Sequence, residues 1–242
     1  MLHSKQVRGA LVYYDDYQFR WVDAIGKDVI KFLAKPGTPQ DDTSTYLPTR
    51  YTVTPTSDGA GDSTAVNSLK AGELLLLTTD NFEYDGINLQ LKGEAFKLTA
   101  NLPLYFGIKC KISAATQSDF MVGLCETDTT LFAVDTAHAI AVTAGGIFFS
   151  KLDGSTVIAA KTYEAGAETN TANAATAMTT AYHIYEFYWD GTRLEAYMNG
   201  TLVALFTADF ALADLTPSIA FLTGTTAAIT MEVAWMRAIQ IR

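Results

Sequence analysis

A mostly-β sandwich is expected of this sequence on three grounds. Apolar residues alternate strictly with polar ones over several runs, which puts one set on each face of a sheet. Asp-Gly and Asn-Gly pairs separate consecutive runs, and such pairs suit tight hairpin turns because they tolerate positive φ. Beyond residue 70 almost nothing repeats at helical spacing. Short strands closed by frequent turns are the pattern of a sandwich.

Residues 1–35 read as an N-terminal arm. Tyr13, Tyr14, Tyr17, Phe19 and Trp21 cluster there, and Val22, Ile25, Val29, Ile30 and Leu33 recur at near-helical spacing. A short helix is therefore expected around residues 22–34. Residues 36–69 read as an extended linker, because Pro36, Pro39, Pro48 and Pro55 stand among Thr, Ser, Asp and Gly. One weak strand is expected there, around Tyr51–Val53.

The sandwich is placed at residues 70–242. Ile87, Leu89 and Leu91 alternate with Asn88, Gln90 and Lys92. Leu104, Phe106, Ile108, Cys110 and Ile112 alternate with Tyr105, Gly107, Lys109 and Lys111, and Phe120, Val122 and Leu124 follow suit. One face of each run is expected in the core and the other in water. Asp153-Gly154 predicts a hairpin between runs 147–152 and 156–160. The Ala/Thr-rich stretch 164–181 holds no strong strand former and reads as a surface loop. Tyr182–Trp189, Leu194–Met198 and Leu202–Phe206, joined at Asp190-Gly191 and Asn199-Gly200, predict a meander of consecutive strands. The last strand is long, with Ile229, Met231, Val233, Trp235, Ile239 and Ile241 on one face and Arg237 as the break.

Of the 242 residues, 49% are apolar and 18% charged, which excludes a disordered chain. The longest apolar runs, such as Leu74–Leu77, are far too short to cross a bilayer. The start of the chain has no apolar stretch of signal-peptide length, so neither a membrane partner nor an export signal is expected. A net charge of −9 argues against a nucleic-acid partner, whose phosphates call for a basic patch. The charge is uneven: residues 1–60 hold seven Lys/Arg and seven Asp, so the whole excess lies beyond them. A neutral arm approaches a neighbouring surface with less repulsion than an acidic body does. Cys110 and Cys125, the two cysteines, sit in apolar runs and read as buried thiols. They are too few for a disulfide framework or a zinc site.

Almost nothing points to chemistry, and the chain reads as a non-enzyme without catalytic residues, metal site or cofactor. His3, His138 and His183 are scattered, and His183 shares a strand face with Tyr185, Phe187 and Trp189, as a core histidine would. Asp80, Glu83 and Asp85-Gly86 invite a calcium reading. An EF-hand loop aligned on Gly86 puts Lys92 where the closing glutamate belongs, so that reading fails and a strand-entry turn is the better account. A glycan hydrolase needs two carboxylates close together, and Glu186 and Glu195 are isolated ones. Asn199-Gly200-Thr201 fits a glycosylation sequon but reads as a hairpin turn.

Two aromatic groups are candidate contact residues. Tyr182, Tyr188 and Tyr197 fall on the meander and are candidates for glycan stacking, with core or interface packing as the alternative. The arm concentrates residue types that anchor interfaces, and Arg8, Tyr13, Tyr14, Phe19 and Trp21 are candidates for docking on another subunit. The alternative is that the arm folds back over its own sandwich.

The segments YHIYEFYWDGTRLEAYMNGTLVALF, LTPSIAFLTG and VAWMRAIQIR resemble the concanavalin-like or laminin-G-like jelly-roll sandwich, over residues 70–242. That fold serves lectins, glucanases, adhesion modules and viral coat proteins alike. RWVDAIGKDVIKF, YDGINLQLKGEAFKL, PLYFGIKCKISAATQSDFMVGLCETDTTLF and WMRAIQIR resemble a family of tailed-phage and prophage virion proteins, from about Arg20 to the end. This resemblance implies a capsid decoration protein on the virion surface, made in the host cytoplasm. It would be a homo-oligomer, taken as a trimer, that braces the major capsid protein. The alternative is a carbohydrate-binding head of a tail or fibre.

Overall fold

The computed structural model describes residues 1–35, 50–56, 63–68, 72–133, 137–210 and 213–242. The strands β1 (His3–Val7), β2 (Ala10–Tyr14) and β3 (Trp21–Ile25) form a small antiparallel sheet. Arg8 and Gly9, both at positive φ, make the tight turn between the first two.

Where a helix is expected at 22–34, the chain instead makes β3, a turn at residues 26–28 and β4 (Val29–Ala34). The apolar spacing fits a helix, but β-branched Val22, Ile25, Val29 and Ile30 also suit a pleated surface. A partner decides it: β4 pairs with the last strand of the chain, from Ala34 opposite Met236 to Val29 opposite Ile241.

Two larger antiparallel sheets face each other. The seven-stranded sheet is built from β5 (Tyr51–Thr56), β8 (Gly86–Leu91), β10 (Ser118–Cys125), β11 (Gly146–Lys151), β12 (Ala159–Glu164), β13 (Ala167–Asn173) and β17 (Thr216–Thr223), in the order β13-β12-β11-β10-β17-β8-β5. The eight-stranded sheet uses β6 (Thr64–Asn67), β7 (Leu75–Thr78), β9 (Leu104–Ile112), β14 (His183–Trp189), β15 (Leu194–Met198), β16 (Thr201–Phe206) and β18 (Thr230–Ile241). Its order is β16-β15-β14-β9-β18-β7-β6, with β4 also on β18.

The sandwich therefore draws strands from before residue 70. β5 is the weak strand expected near Tyr51, and β6 arises from the same segment; Pro36, Pro39 and Pro48 lie outside the described residues. Residues 164–181 are not all loop either. Ala165 and Gly166 turn the chain at positive φ into β13, an edge strand with mostly exposed side chains and hence no apolar signature.

The alternating residues meet as expected between the sheets, where Phe106, Phe120, Phe149, Tyr185, Phe187 and Phe221 are fully buried. The meander also holds: Asn199 and Gly200, at positive φ, close a two-residue turn between Met198 and Thr201. The last strand departs from a single-face reading. Its register slips between Val233 and Trp235, and this bulge turns Met236 and Ala238 inward with Met231 and Val233. Ile239 and Ile241 consequently pack on the outside.

The second faces are not simply wet. Every residue of β10 and β17 is buried. Segments 126–133 and 137–145 cover the seven-stranded sheet, where Leu131, Phe132 and Val142 pack on Met121, Cys125, Phe148, Ala220 and Leu222. On the other side β1–β3 covers part of the eight-stranded sheet, where Val12, Trp21 and Ala24 pack on Tyr105, Ile239 and Ile241.

Candidate functional site

Both groups of sequence-predicted contact residues collect on the arm and the outer face of the eight-stranded sheet. Trp21 is fully buried and meets Tyr188 edge to face at 5.6 Å. Phe19 stacks flat on Tyr197 with ring centroids 3.6 Å apart, and Tyr17 continues the stack at 5.3 Å. Tyr14 stacks with His3 at 5.4 Å, Tyr13 is half-buried, and Arg8 is exposed at its turn. The arm thus lies on its own sandwich. Trp21 has no surface left for another subunit; the rings of Phe19 and Tyr197 serve each other, and Tyr188 serves Trp21.

A charged bond seals this contact. Arg20, 7% exposed, forks onto the fully buried Glu186 carboxylate through Nε and Nη2. Tyr105 donates its hydroxyl to the same carboxylate at 3.0 Å. Burial alone would lower the Arg20 pKa, but Glu186 holds it above its ordinary range. Burial, with the Glu186 charge, pushes the Tyr105 phenol well up. Glu186, an isolated carboxylate in the sequence, is therefore an internal anchor.

Part of the face remains open beside the arm. Lys109 and Lys111 of β9 lie next to Trp235 and Glu232 of β18, while Gly107 faces Arg237. The Arg237 guanidinium lies 4.2 Å from the Trp235 ring centroid. Lys109 and Lys111 stand 5.3 and 4.8 Å from the ring of Tyr182, whose hydroxyl donates to Glu73 at 3.0 Å. Position 107 admits only glycine, because an added Cβ would come within 2.2 Å of the Tyr105 hydroxyl and 3.2 Å of Trp235.

The seven-stranded sheet carries a polar cluster that the scattered histidines concealed. His138 Nδ1 lies 2.6 Å from Oδ2 of Asp119, a fully buried carboxylate on β10. Its Nε2 lies 3.3 Å from Glu83 and 3.9 Å from Asp153, and its ring stacks on Tyr84 at 4.6 Å. Burial lowers the His138 pKa, and Asp119 and Glu83 outweigh it to a net rise. Asp119 is itself raised by burial, which the His138 hydrogen bond only partly offsets. Lys151 is caged by the carbonyls of Thr116, Ser118 and Leu152, and burial lowers its pKa to about 8 against the pull of Asp119 and Asp153. The one sequence signal for this cluster was Asp119 itself, a carboxylate at the mouth of an apolar strand. His183, by contrast, is the satisfied core histidine expected, held by Thr179 and Asn199. Asp80 and Asp85 accept backbone N–H bonds from Asn81 and Phe82, as turn residues do.

Beside this cluster runs a groove of about 260 Å³, lined by Ser150, Lys161, Thr171 and Asn173 with Ile140 and Val157 as apolar walls. Ala159 pairs with Ser150 on one side and Asn173 on the other and forms a low floor. Ser150 is 1% exposed, and its buried hydroxyl has no hydrogen-bond partner among the described residues. A buried hydroxyl without a partner is costly in a folded protein, so a ligand hydroxyl reaching it would be favoured.

No protein-family model and no curated protein matches the chain. Solved structures do. A structure described with endo-acting O-glycanases of the human gut microbiota aligns with TM-score 0.58 at 12% identity, over 87% of this chain and 99% of its own. The Emp47p carbohydrate recognition domain gives 0.56 at 10%, over 85% and 93%. A β-glucanase of Bacillus licheniformis gives 0.55 at 15%, over 86% and 97%. These likenesses correct the expectation of a non-enzyme, since the sandwich is one that glycan-cleaving proteins share. At such identities they establish architecture: the chain has the concanavalin-like jelly-roll fold.

Proposed function

We propose that the chain recognises carbohydrate through the groove on the seven-stranded sheet. The observation that carries this reading is the unpartnered Ser150 hydroxyl at the base of a groove rimmed by Thr171, Asn173 and Lys161. Hydroxyl, amide and ammonium groups around a small apolar floor suit the hydroxyls and C–H face of a sugar ring. The similar structures named for O-glycanases, a carbohydrate recognition domain and a β-glucanase support the ligand class. Asp119, Asp153 and Glu83 stand near one end of the same face, so the assay should follow cleavage as well as binding. A glycan array probed with the full chain should retain neutral oligosaccharides, and Ser150→Val or Asn173→Ala should weaken retention about tenfold. Absence of any retained or shortened glycan overturns the reading.

A second reading places the protein on a phage particle, as a decoration protein on the major capsid protein or as a tail or fibre head. Its support is the virion-protein resemblance of four segments between Arg20 and Arg242. Leu202 and Leu205, 52% and 47% exposed on edge strand β16, offer an apolar contact for a neighbour. Co-sedimentation with undecorated heads tests it: binding that Leu202→Glu abolishes supports a capsid seat, and no binding overturns it.

A further inference from the structure

We infer that the open strip of the eight-stranded sheet is a second binding site, for a polysaccharide bearing carboxylates on its sugar rings. The inference takes its ligand class from the carbohydrate reading above, and its charge from the strip itself.

The chain carries a net charge of −9, and most of its described cations are spoken for. Arg20 pairs with Glu186, Lys31 with Asp23, Lys97 with Asp214, Lys161 with Glu168 and Arg193 with Asp190. Lys109 and Arg237 depart from this pattern. Neither has a carboxylate within ion-pair distance among the described residues, and each leans on an aromatic ring instead. In so acidic a protein, two half-buried cations without counter-charges mark a place where an outside anion is attracted.

Register puts the two together. Lys109 is directly opposite Trp235, and Arg237 is opposite Gly107, two pairs further along and so on the same face. Lys109 and Arg237 are thus diagonal neighbours on one face, about 7–8 Å apart at the backbone. Lys111, two residues from Lys109, is already paired to Glu232 at 2.7 Å, so the unbalanced charge centres on Trp235. Stacking on the Trp235 ring holds the Arg237 guanidinium in one plane, and a planar fork matches a carboxylate through two parallel hydrogen bonds. Lys109 supplies a second, more adaptable charge for the next acidic group. Gly107 adds no side chain of its own between the two cations; the Tyr105 hydroxyl and the edge of Trp235 take the space a Cβ would need.

Affinity electrophoresis of the full chain tests this with polygalacturonate as the probe and neutral dextran as the control. Polygalacturonate should retard the protein, dextran should not through this strip, and added salt should release it. Lys109→Gln with Arg237→Gln should weaken retention at least tenfold without changing the melting temperature, and Lys109→Arg should keep it. No retardation at low salt overturns the inference, as does equal retardation of the double variant. Equal retardation by polyglutamate overturns the sugar assignment, and stronger retardation by dextran sulfate overturns the preference for carboxylates. Ser150→Val, run in parallel, separates the two sites. If it abolishes binding of neutral glycan and spares polygalacturonate, both stand. If Ser150→Val changes nothing on the array while polygalacturonate still depends on Arg237, the groove reading fails alone.

Discussion

The two outer faces of this sandwich are covered in different ways. The eight-stranded sheet is capped by a regular three-stranded sheet, fastened by the buried Arg20–Glu186 pair and the fully buried Trp21. The seven-stranded sheet is capped by an irregular segment, fastened by His138 on Asp119 and by amides of the sheet. Asn88 donates to the Asp128 carbonyl at 2.6 Å, Gln90 donates to that of Glu126 at 3.0 Å, and Gln90 accepts from Asp128 N–H at 2.9 Å. A guanidinium keeps its charge at every working pH, whereas an imidazole titrates near neutrality. The first cover is therefore a fixed clamp and the second one that responds to pH.

The harshest way to break the comparison is to strand a charge under the first cover. Glu186→Ala leaves the Arg20 guanidinium buried without its carboxylate and the Tyr105 hydroxyl without its acceptor. The expected loss is about 3–5 kcal/mol, read from urea unfolding, with a loss near zero showing that water reaches Arg20. Under the second cover, Phe132→Ala removes a ring that is 2% exposed in the small outer cluster. The expected loss is about 3 kcal/mol, because an irregular segment can settle partly into the space. Dye binding to the uncovered Met121–Phe148 surface should rise in that variant and not in Glu186→Ala.

Both covers were only half legible in the sequence, and for one reason. Alternation showed that Leu104, Phe106 and Ile108 would share a face, and they do, in the core. It could not show that Tyr105 and Met121, on the opposite faces, are also buried, because that depends on segments distant in sequence. The arm's aromatics announced a contact, and only the strand pairing of β4 with β18 placed it at home. Likewise the one-residue bulge before Trp235 reverses the last strand's inner and outer faces, and no residue type signals it. The His138–Asp119 contact spans 19 residues and the Ser150 groove forms across separate strands, so neither had a local motif. The Asn-Gly turn was legible because its chemistry is local.

A gentler test uses pH. In the folded chain His138 is raised above its ordinary 6.5 by Asp119 and Glu83, despite burial. A raised pKa means that its stabilisation is full below 6.5 and is lost as pH climbs through the folded value. Asp119, raised by burial, acts in the same sense at lower pH, and His183, lowered by burial, acts in the opposite sense below 6.5. The melting temperature should therefore fall as pH rises above about 6.5, until Lys151, lowered by burial to about 8, begins to act in the opposite sense. His138→Gln should flatten that fall, while Glu186→Ala should keep it on a lower baseline. Lys151 acts against the fall above about 8, so a fall that survives in His138→Gln would show that His138 is not its source.

The smallest expected effect concerns the rim of the first cover. Phe19 stacks on Tyr197 at 3.6 Å, and the Tyr197 hydroxyl is held by Glu195 at 2.5 Å. Both rings are half-buried, so Phe19→Ala opens no sealed cavity and strands no charge. What it removes is one stacked ring pair and some apolar cover over Arg20, whose guanidinium also lies 6.0 Å from the Phe19 ring. The expected loss is about 1 kcal/mol, the scale of an aromatic pair beyond its area. If the Arg20–Glu186 bond is the clamp, Phe19→Ala and Glu186→Ala should give nearly additive losses, since the Phe19–Tyr197 pair is a contact of its own that does not need the bond. A double variant no less stable than Glu186→Ala alone would mean that the stack exists only while the clamp holds, and that the arm lets go as one unit. Backbone hydrogen exchange in β1–β3 reads the same distinction: Phe19→Ala should speed exchange near Tyr17 and leave Val12 and Ala24 protected.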